Sequence, residues 1–219
     1  FVDGDDYLEK NTFQRLLSLF ESFTPEIIVY GAKFFPNEQT SPYLRQTLSP
    51  VNYQYPRATP SILFSEPCAK PFVWRNAFLS SFLRKNQLRF DEKIRVAEDV
   101  AFQFAAFSRA QKVVFSQEKF YWYRIARKGS LMDCYDKNQA TRLQGHVDVV
   151  KKVVADWKGQ GLLKKYGTPM AVWILEFVFS DGLAVLSSSE RKNIYSQTLE
   201  QLELVTKAHG HPMPLPYFA

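Results

Sequence analysis

Phe1-Val2-Asp3-Gly4-Asp5-Asp6-Tyr7-Leu8 opens the chain, and its reading decides the fold. An apolar pair running into an acidic turn reads as the end of a strand. Three carboxylates in four residues repel one another, so burying them together requires a cation. Hard oxygen donors of this kind suit Mg²⁺ or Mn²⁺, ions that bridge carboxylates to substrate phosphates. Gly4 permits a tight turn. The same tetrapeptide also reads as an exposed acidic turn in which Asp5 or Asp6 caps the next helix. No methionine precedes Phe1, and a strand needs neighbours, so the sequence is expected to be a fragment of a longer protein.

Outward from this turn, Phe13, Leu16, Leu17 and Phe20 recur at helical spacing, and Pro25 ends that helix. Ile27-Ile28-Val29-Tyr30 is a buried-strand pattern. Residues 35–60, rich in Pro, Asn, Gln, Ser and Thr, read as a long surface excursion with at most short strands. Phe78, Leu79, Phe82 and Leu83 mark a second helix, and a third starts near Glu98-Asp99. Val113–Phe115 and Phe120–Tyr123 read as two separate strands. Beyond Gly129 the pattern is helical. Leu143, Val147, Val150, Val154 and Trp157 form a heptad-like stripe, too short for a coiled coil. A buried helix is expected around 170–187, then an amphipathic one carrying Tyr195, Leu199 and Leu202. The expectation is an α/β class: a mixed sheet with flanking helices over 1–132, then a helical extension over 133–219.

Hydrophobic content of 46% with 16% aromatics excludes a disordered chain. A net charge of +6 fits an anionic ligand, nucleic acid or an anionic membrane surface without choosing among them. Cys68 and Cys134 make no metal or redox pattern and suit a reducing compartment. The apolar run 169–186 contains Glu176, Ser180, Asp181 and Gly182, which makes it a poor membrane span.

Glu98-Asp99 reads in two ways. Carboxylates at a helix start are favoured by the helix dipole, and one of them could equally serve as a general base for a hydroxyl proton. Among many basic residues, Arg124, Arg127 and Lys128 near a strand end are the better candidates for a diphosphate, which an arginine fork can bind through two hydrogen bonds. His146, His209 and His211 lack metal-site spacing.

Taken in order, four segments resemble the inverting family 2 glycosyltransferases of the GT-A fold. Phe1–Leu8 is similar to the D-x-D metal segment. Cys68-Ala-Lys70 with Trp74-Arg75-Asn76-Ala77-Phe78-Leu79 is similar to a stretch with a lysine, an aromatic-Arg and a Phe-Leu. Asn86 to Asp99 resembles the approach to the E-D motif, and Phe120–Ile125 with Gly129–Met132 resembles the strand and loop that close the site. The resemblance implies transfer of a sugar from a nucleotide-diphosphate sugar to a hydroxyl of a glycan or lipid-linked acceptor. It implies Asp5 and Asp6 at a Mn²⁺ or Mg²⁺, Asp3, Arg124 and Arg127 at the donor, Asp99 as base and Glu98 beside it. Gly4 stands where serine is usual. Lys70 and Arg75 are too loosely spaced for Lys70 to receive a role. The family's N-terminal units that hold the nucleobase are not in this sequence, so the chain alone is expected to bind donor poorly. An exposed sheet edge at Phe1–Asp6 would then invite homo-oligomerisation. The resemblance also implies a cytoplasmic setting, with peripheral association at the inner face of the membrane. The alternatives are a non-catalytic self-associating domain or a nucleic-acid-binding one. The latter is disfavoured because the aromatics follow core periodicity and no nucleic-acid-binding motif is present.

Overall fold

A computed structural model describes residues 1–36, 40–69, 72–125, 138–180 and 183–210. The chain divides into two units. The first comprises Phe1–Arg89 and Phe102–Arg127; the second comprises Phe90–Ala101 and Lys128–Ala219.

The first unit is built on a mixed five-stranded sheet. Its strands are β1 (Tyr7–Leu8), β2 (Ile27–Phe35), β3 (Tyr53–Tyr55), β4 (Asn76–Phe78) and β5 (Val113–Arg124). β5 is the spine. It runs parallel to β2 on one edge, while β3 and β1 pair antiparallel with its beginning and its end on the other edge. β4 closes the far side of β2. Ile27, Ile28 and Val29 are fully buried, which is why an uninterrupted apolar run forms this strand rather than an alternating one. Helix α1 (Thr12–Phe23) ends where Thr24 turns left-handed at φ 48°. The excursion predicted for 35–60 holds helix α2 (Pro42–Thr47), capped by the Ser41 side chain with Pro42 in its first turn, as well as β3. The short helices α3 (Ile62–Ser65) and α4 (Ser80–Lys85) and the end of α5 (Glu98–Phe107) follow.

Five sequence expectations need correction here. Residues 35–60 hold a helix where at most short strands are expected, and Phe78, read as opening the second helix, ends β4 while α4 begins at Ser80. Residues 113–124 form one strand, not two. The polar stretch Ser116–Glu118 is a bulge: Val29 pairs with Phe115 and Gly31 with Lys119, so two steps on β2 span four on β5. A Cβ on Gly31 would stand 2.9 Å from the Leu48 carbonyl oxygen and 3.0 Å from Lys119 Cγ, so the bulge closes only against bare backbone. Phe1 and Val2 join no ladder among the described residues, because an extended pair is a strand only beside a hydrogen-bonding neighbour. Phe1 packs edge-on against Phe78 and Phe102 instead. On α1 the predicted core stripe is mostly open: Leu16 is buried, whereas Phe13 and Leu17 are 75% and 59% exposed.

The second unit is helical: α6 (Gln139–Gly159), α7 (Leu163–Phe179) and α8 (Ser188–His209). The stripe Leu143, Val147, Val150, Val154, Trp157 is buried as predicted. α7 ends at Phe179, short of the expected 187. α8 starts with a Ser187–Glu190 capping box, and its buried face is Ile194, Thr198, Gln201 and Val205. The Tyr195–Leu199 stripe read from sequence is therefore offset by one residue and lies half exposed. Two polar side chains on the buried face hid it: Thr198 is satisfied by donating to the Ile194 carbonyl, 2.7 Å away. His146 and His209 contact the carbonyls of Phe177 and Lys164, each at 3.0 Å, which gives both structural roles.

Candidate functional site

The acidic turn is held by its own backbone and by the end of β5. Asp6 N–H donates to the Asp3 carbonyl at 3.2 Å. The Tyr121 hydroxyl accepts from Asp3 N–H at 3.0 Å and donates to Asp6 Oδ2 at 2.8 Å. Arg124 N–H donates to Asp6 Oδ1 at 2.7 Å, and Arg124 Nε donates to the Asp5 carbonyl oxygen at 3.0 Å. The Arg124 guanidinium also lies 4.6 Å from the Phe35 ring centre. Register makes this possible. Tyr7 pairs with Trp122 and Leu8 with Tyr121, so the turn just before β1 falls at the level of Tyr121–Arg124.

The three aspartates therefore differ. Both Asp6 oxygens accept hydrogen bonds from β5. Burial raises its carboxyl above the usual carboxylate range, the Arg124 N–H and Tyr121 hydroxyl pull it down, and the Asp5 charge adds to the rise. Tyr121 is itself pushed above the ordinary phenol value, first by burial and then by the carboxylates of Asp6 and Asp3, so at neutral pH it is a donor. Asp5 is half-buried with its carbonyl pinned, and Asp3 is exposed. Among the described residues no three His, Cys, Asp or Glu side chains form a ready metal cluster. The donor set instead fits an ion that takes one or two carboxylates here and its other ligands from a diphosphate.

Beside the turn, the opposite face of the sheet end carries cations and aromatics. Tyr7 stacks on Trp122 at 5.4 Å. Lys33 Nζ lies 4.8 Å from the Trp122 ring centre and bonds Glu9 Oε1 at 2.5 Å, and Trp122 Nε1 donates to the same oxygen at 2.8 Å. Lys33, followed by the Trp122 contact, lowers the Glu9 carboxyl below its usual range.

Glu98 and Asp99 belong to the second unit and open α5, where acidic side chains complement the helix dipole. Glu98 is exposed, Asp99 is half-buried, and Asp99 Oδ1 accepts from Val100 N–H at 2.8 Å. Arg127, Lys128 and Gly129–Met132 lie outside the described residues, as do Lys70 and Cys134. Arg75 is fully buried and structural. It donates to the carbonyls of Thr47 and Cys68, and burial lowers its pKa to about 10. Tyr121 was missed by sequence reading. The alternation Phe120-Tyr121-Trp122-Tyr123 marks it only as one strand residue among aromatics, and its partners lie 118 and 115 positions away.

A mixed sheet with flanking helices, followed by further helices, is the GT-A class of glycosyltransferase fold. Over more than half its length the chain is a relative of the family 2 glycosyltransferases. It is 32% identical over 131 residues to the uncharacterized glycosyltransferase EpsJ of Bacillus subtilis (strain 168), a match covering 57% of this chain and 36% of that protein. It is 25% identical over 142 residues to the poly(ribitol-phosphate) β-N-acetylglucosaminyltransferase TarS of Staphylococcus aureus (strain Mu50), covering 60% of this chain and 22% of that protein. The chain thus spans well under two thirds of these relatives. The crystal structure of S. aureus TarS 1–349 in complex with UDP-GlcNAc aligns with a TM-score of 0.56 at 14% identity, over 96% of this chain and 66% of that one, a likeness of fold. No protein-family model matches the sequence. Among the described residues no helix is long and apolar enough to cross a membrane.

Proposed function

We propose that this chain carries the metal-site and acceptor half of an inverting glycosyltransferase, which moves a sugar from a nucleotide-diphosphate sugar to a hydroxyl of a cell-envelope glycan or lipid-linked acceptor. The observation that carries the proposal is the latched acidic turn, in a chain similar to a glycosyltransferase over more than half its length. In this reading residues 1–132 form the catalytic domain and 133–219 its helical extension. Asp5 holds Mn²⁺ or Mg²⁺, Asp6 fixes the turn that presents it, and Asp3, Arg124 and Arg127 face the donor. When bound, the ion neutralises charge on the departing diphosphate. Asp99 accepts the acceptor's proton as its oxygen attacks the anomeric carbon, Glu98 orients the acceptor, and the bond to diphosphate breaks on the opposite face. The setting is cytoplasmic, at the inner face of the membrane. The exposed Phe13 and Leu17 support self-association on the α1 side of the sheet unit.

The test is turnover of nucleotide sugars by the intact protein with Mn²⁺, with the product anomer read by NMR. Asp5→Ala should lower kcat by at least about a hundredfold, and chelation should do the same. Metal-independent transfer, or full activity in Asp5→Ala, would refute the assignment.

A further inference from the structure

We infer that helix α6 is the positioning element for the Glu98-Asp99 pair, acting through Gly145 and Lys152 on the segment that leads into it. The inference rests on the proposed role of the pair. Both contacts lie within the second unit.

Gly145 sits in the middle of a 21-residue helix, where glycine costs stability relative to alanine. Packing explains its presence. A Cβ there would lie 2.5 Å from Val96 Cβ and 2.9 Å from Val96 Cγ2, distances no side chain tolerates. Gly159, in the last turn of the same helix, has nothing within 4 Å. The buried Val96 therefore seats on bare helix backbone. The next residue, Ala97, takes a left-handed turn at φ 55°, which a side chain adopts only when its surroundings impose it. Ala97 O then accepts from Val100 N–H at 3.1 Å and starts α5, with Glu98 and Asp99 in its first turn. The other end of the segment is fixed as well. Lys152 Nζ bonds Asp91 Oδ2 at 2.7 Å, and Asp91 also accepts from Lys93 N–H at 3.1 Å. Positions 145 and 152 are two helical turns apart on one face. Residues 91–96 are thus pinned to α6 at both ends, and the strained turn that delivers the acidic pair begins at the second pin.

A Cβ on Gly145 must push Val96 away, shifting the pair without touching it. In the intact protein Gly145→Ala should lower kcat by at least about tenfold, because a small misplacement of a catalytic group is costly. The KM for the sugar nucleotide should stay within about twofold, since the donor's contacts are elsewhere in the proposed scheme. Amide exchange over 91–97 should accelerate. Gly159→Ala, in the same helix without the clash, should change neither. Should Gly145→Ala fail to fold, Lys152→Met, at an exposed position, replaces it, with the same direction expected and recovery in Lys152→Arg. Unchanged exchange over 91–97 with kcat within about twofold of Gly159→Ala overturns the inference, as does an effect confined to KM. Asp99→Asn tests the underlying reading separately. If it keeps turnover the proposed base is wrong, and the exchange measurements alone then judge whether α6 holds the segment.

Discussion

Replacing Tyr121 with Phe removes a single oxygen atom at the centre of the acidic turn. That oxygen accepts from Asp3 N–H at 3.0 Å and donates to Asp6 Oδ2 at 2.8 Å. A hydrogen bond to a charged group contributes about 1.5–3 kcal/mol. Asp3 is exposed and Asp6 half-buried, so water recovers part of this, and the expected loss is about 1–2 kcal/mol. For a chain of this length that lowers Tm by about 2–8 °C. The loss should depend on pH, and the sign follows from Asp6. Its carboxyl is raised in the fold, chiefly by burial, so its contribution to stability is full below the ordinary carboxylate value and is lost as pH rises through the raised one. Without the Tyr121 hydroxyl the carboxyl rises further and more stability is lost. The gap between Tyr121→Phe and the parent should therefore widen as pH climbs through the raised Asp6 value and narrow in acid, where the lost Asp3 N–H contact remains. Denaturant unfolding at several pH values gives the gap, and carboxyl NMR of Asp6 gives its titration. A gap that is the same in acid as at neutral pH, or an Asp6 titration unmoved in the variant, would refute the latch.

Gly31→Ala should destabilise the sheet unit by about 1–3 kcal/mol, as overpacking of a filled site does, because the new methyl meets the Leu48 carbonyl and Lys119; a stability equal to the parent in denaturant unfolding would show that the bulge yields freely. Glu9→Gln should cost less than about 1 kcal/mol after solvent screening, since the Lys33 pair is partly exposed. Because Glu9 is lowered in the fold, that cost should be present above the ordinary glutamate value and vanish as pH falls through the lowered one, and thermal scans across that range should show it.

Apolar pattern carried much of the fold in advance. The run at Ile27 was legible because both faces of its strand are buried, and the stripe from Leu143 to Trp157 because every residue in it answers to one buried helix face. The α8 face was misread because Thr198 and Gln201 are polar yet buried, and periodicity cannot show that a hydroxyl will be satisfied by its own helix. The β5 bulge was invisible because its cause, Gly31, is on another strand. At the site, the residue types of the acidic turn were plain from sequence, but their division of labour was not. That Asp6 anchors the turn depends on Tyr121 and Arg124, more than a hundred positions downstream.

The bulge at Ser116–Glu118 sets where this protein can tolerate changes in chain length. From Tyr121 onward β5 is read in register: Tyr121 beneath the turn, Trp122 against Tyr7, Arg124 beside Asp5. A one-residue insertion between Tyr121 and Trp122 would rotate the rest of the strand by half a pleat and bring the indole to where the Tyr123 phenol now stands. The same insertion at Gln117 would only enlarge a loop that already departs from the ladder. Related sequences are therefore expected to vary in length between Phe115 and Tyr121 and to keep their spacing beyond it.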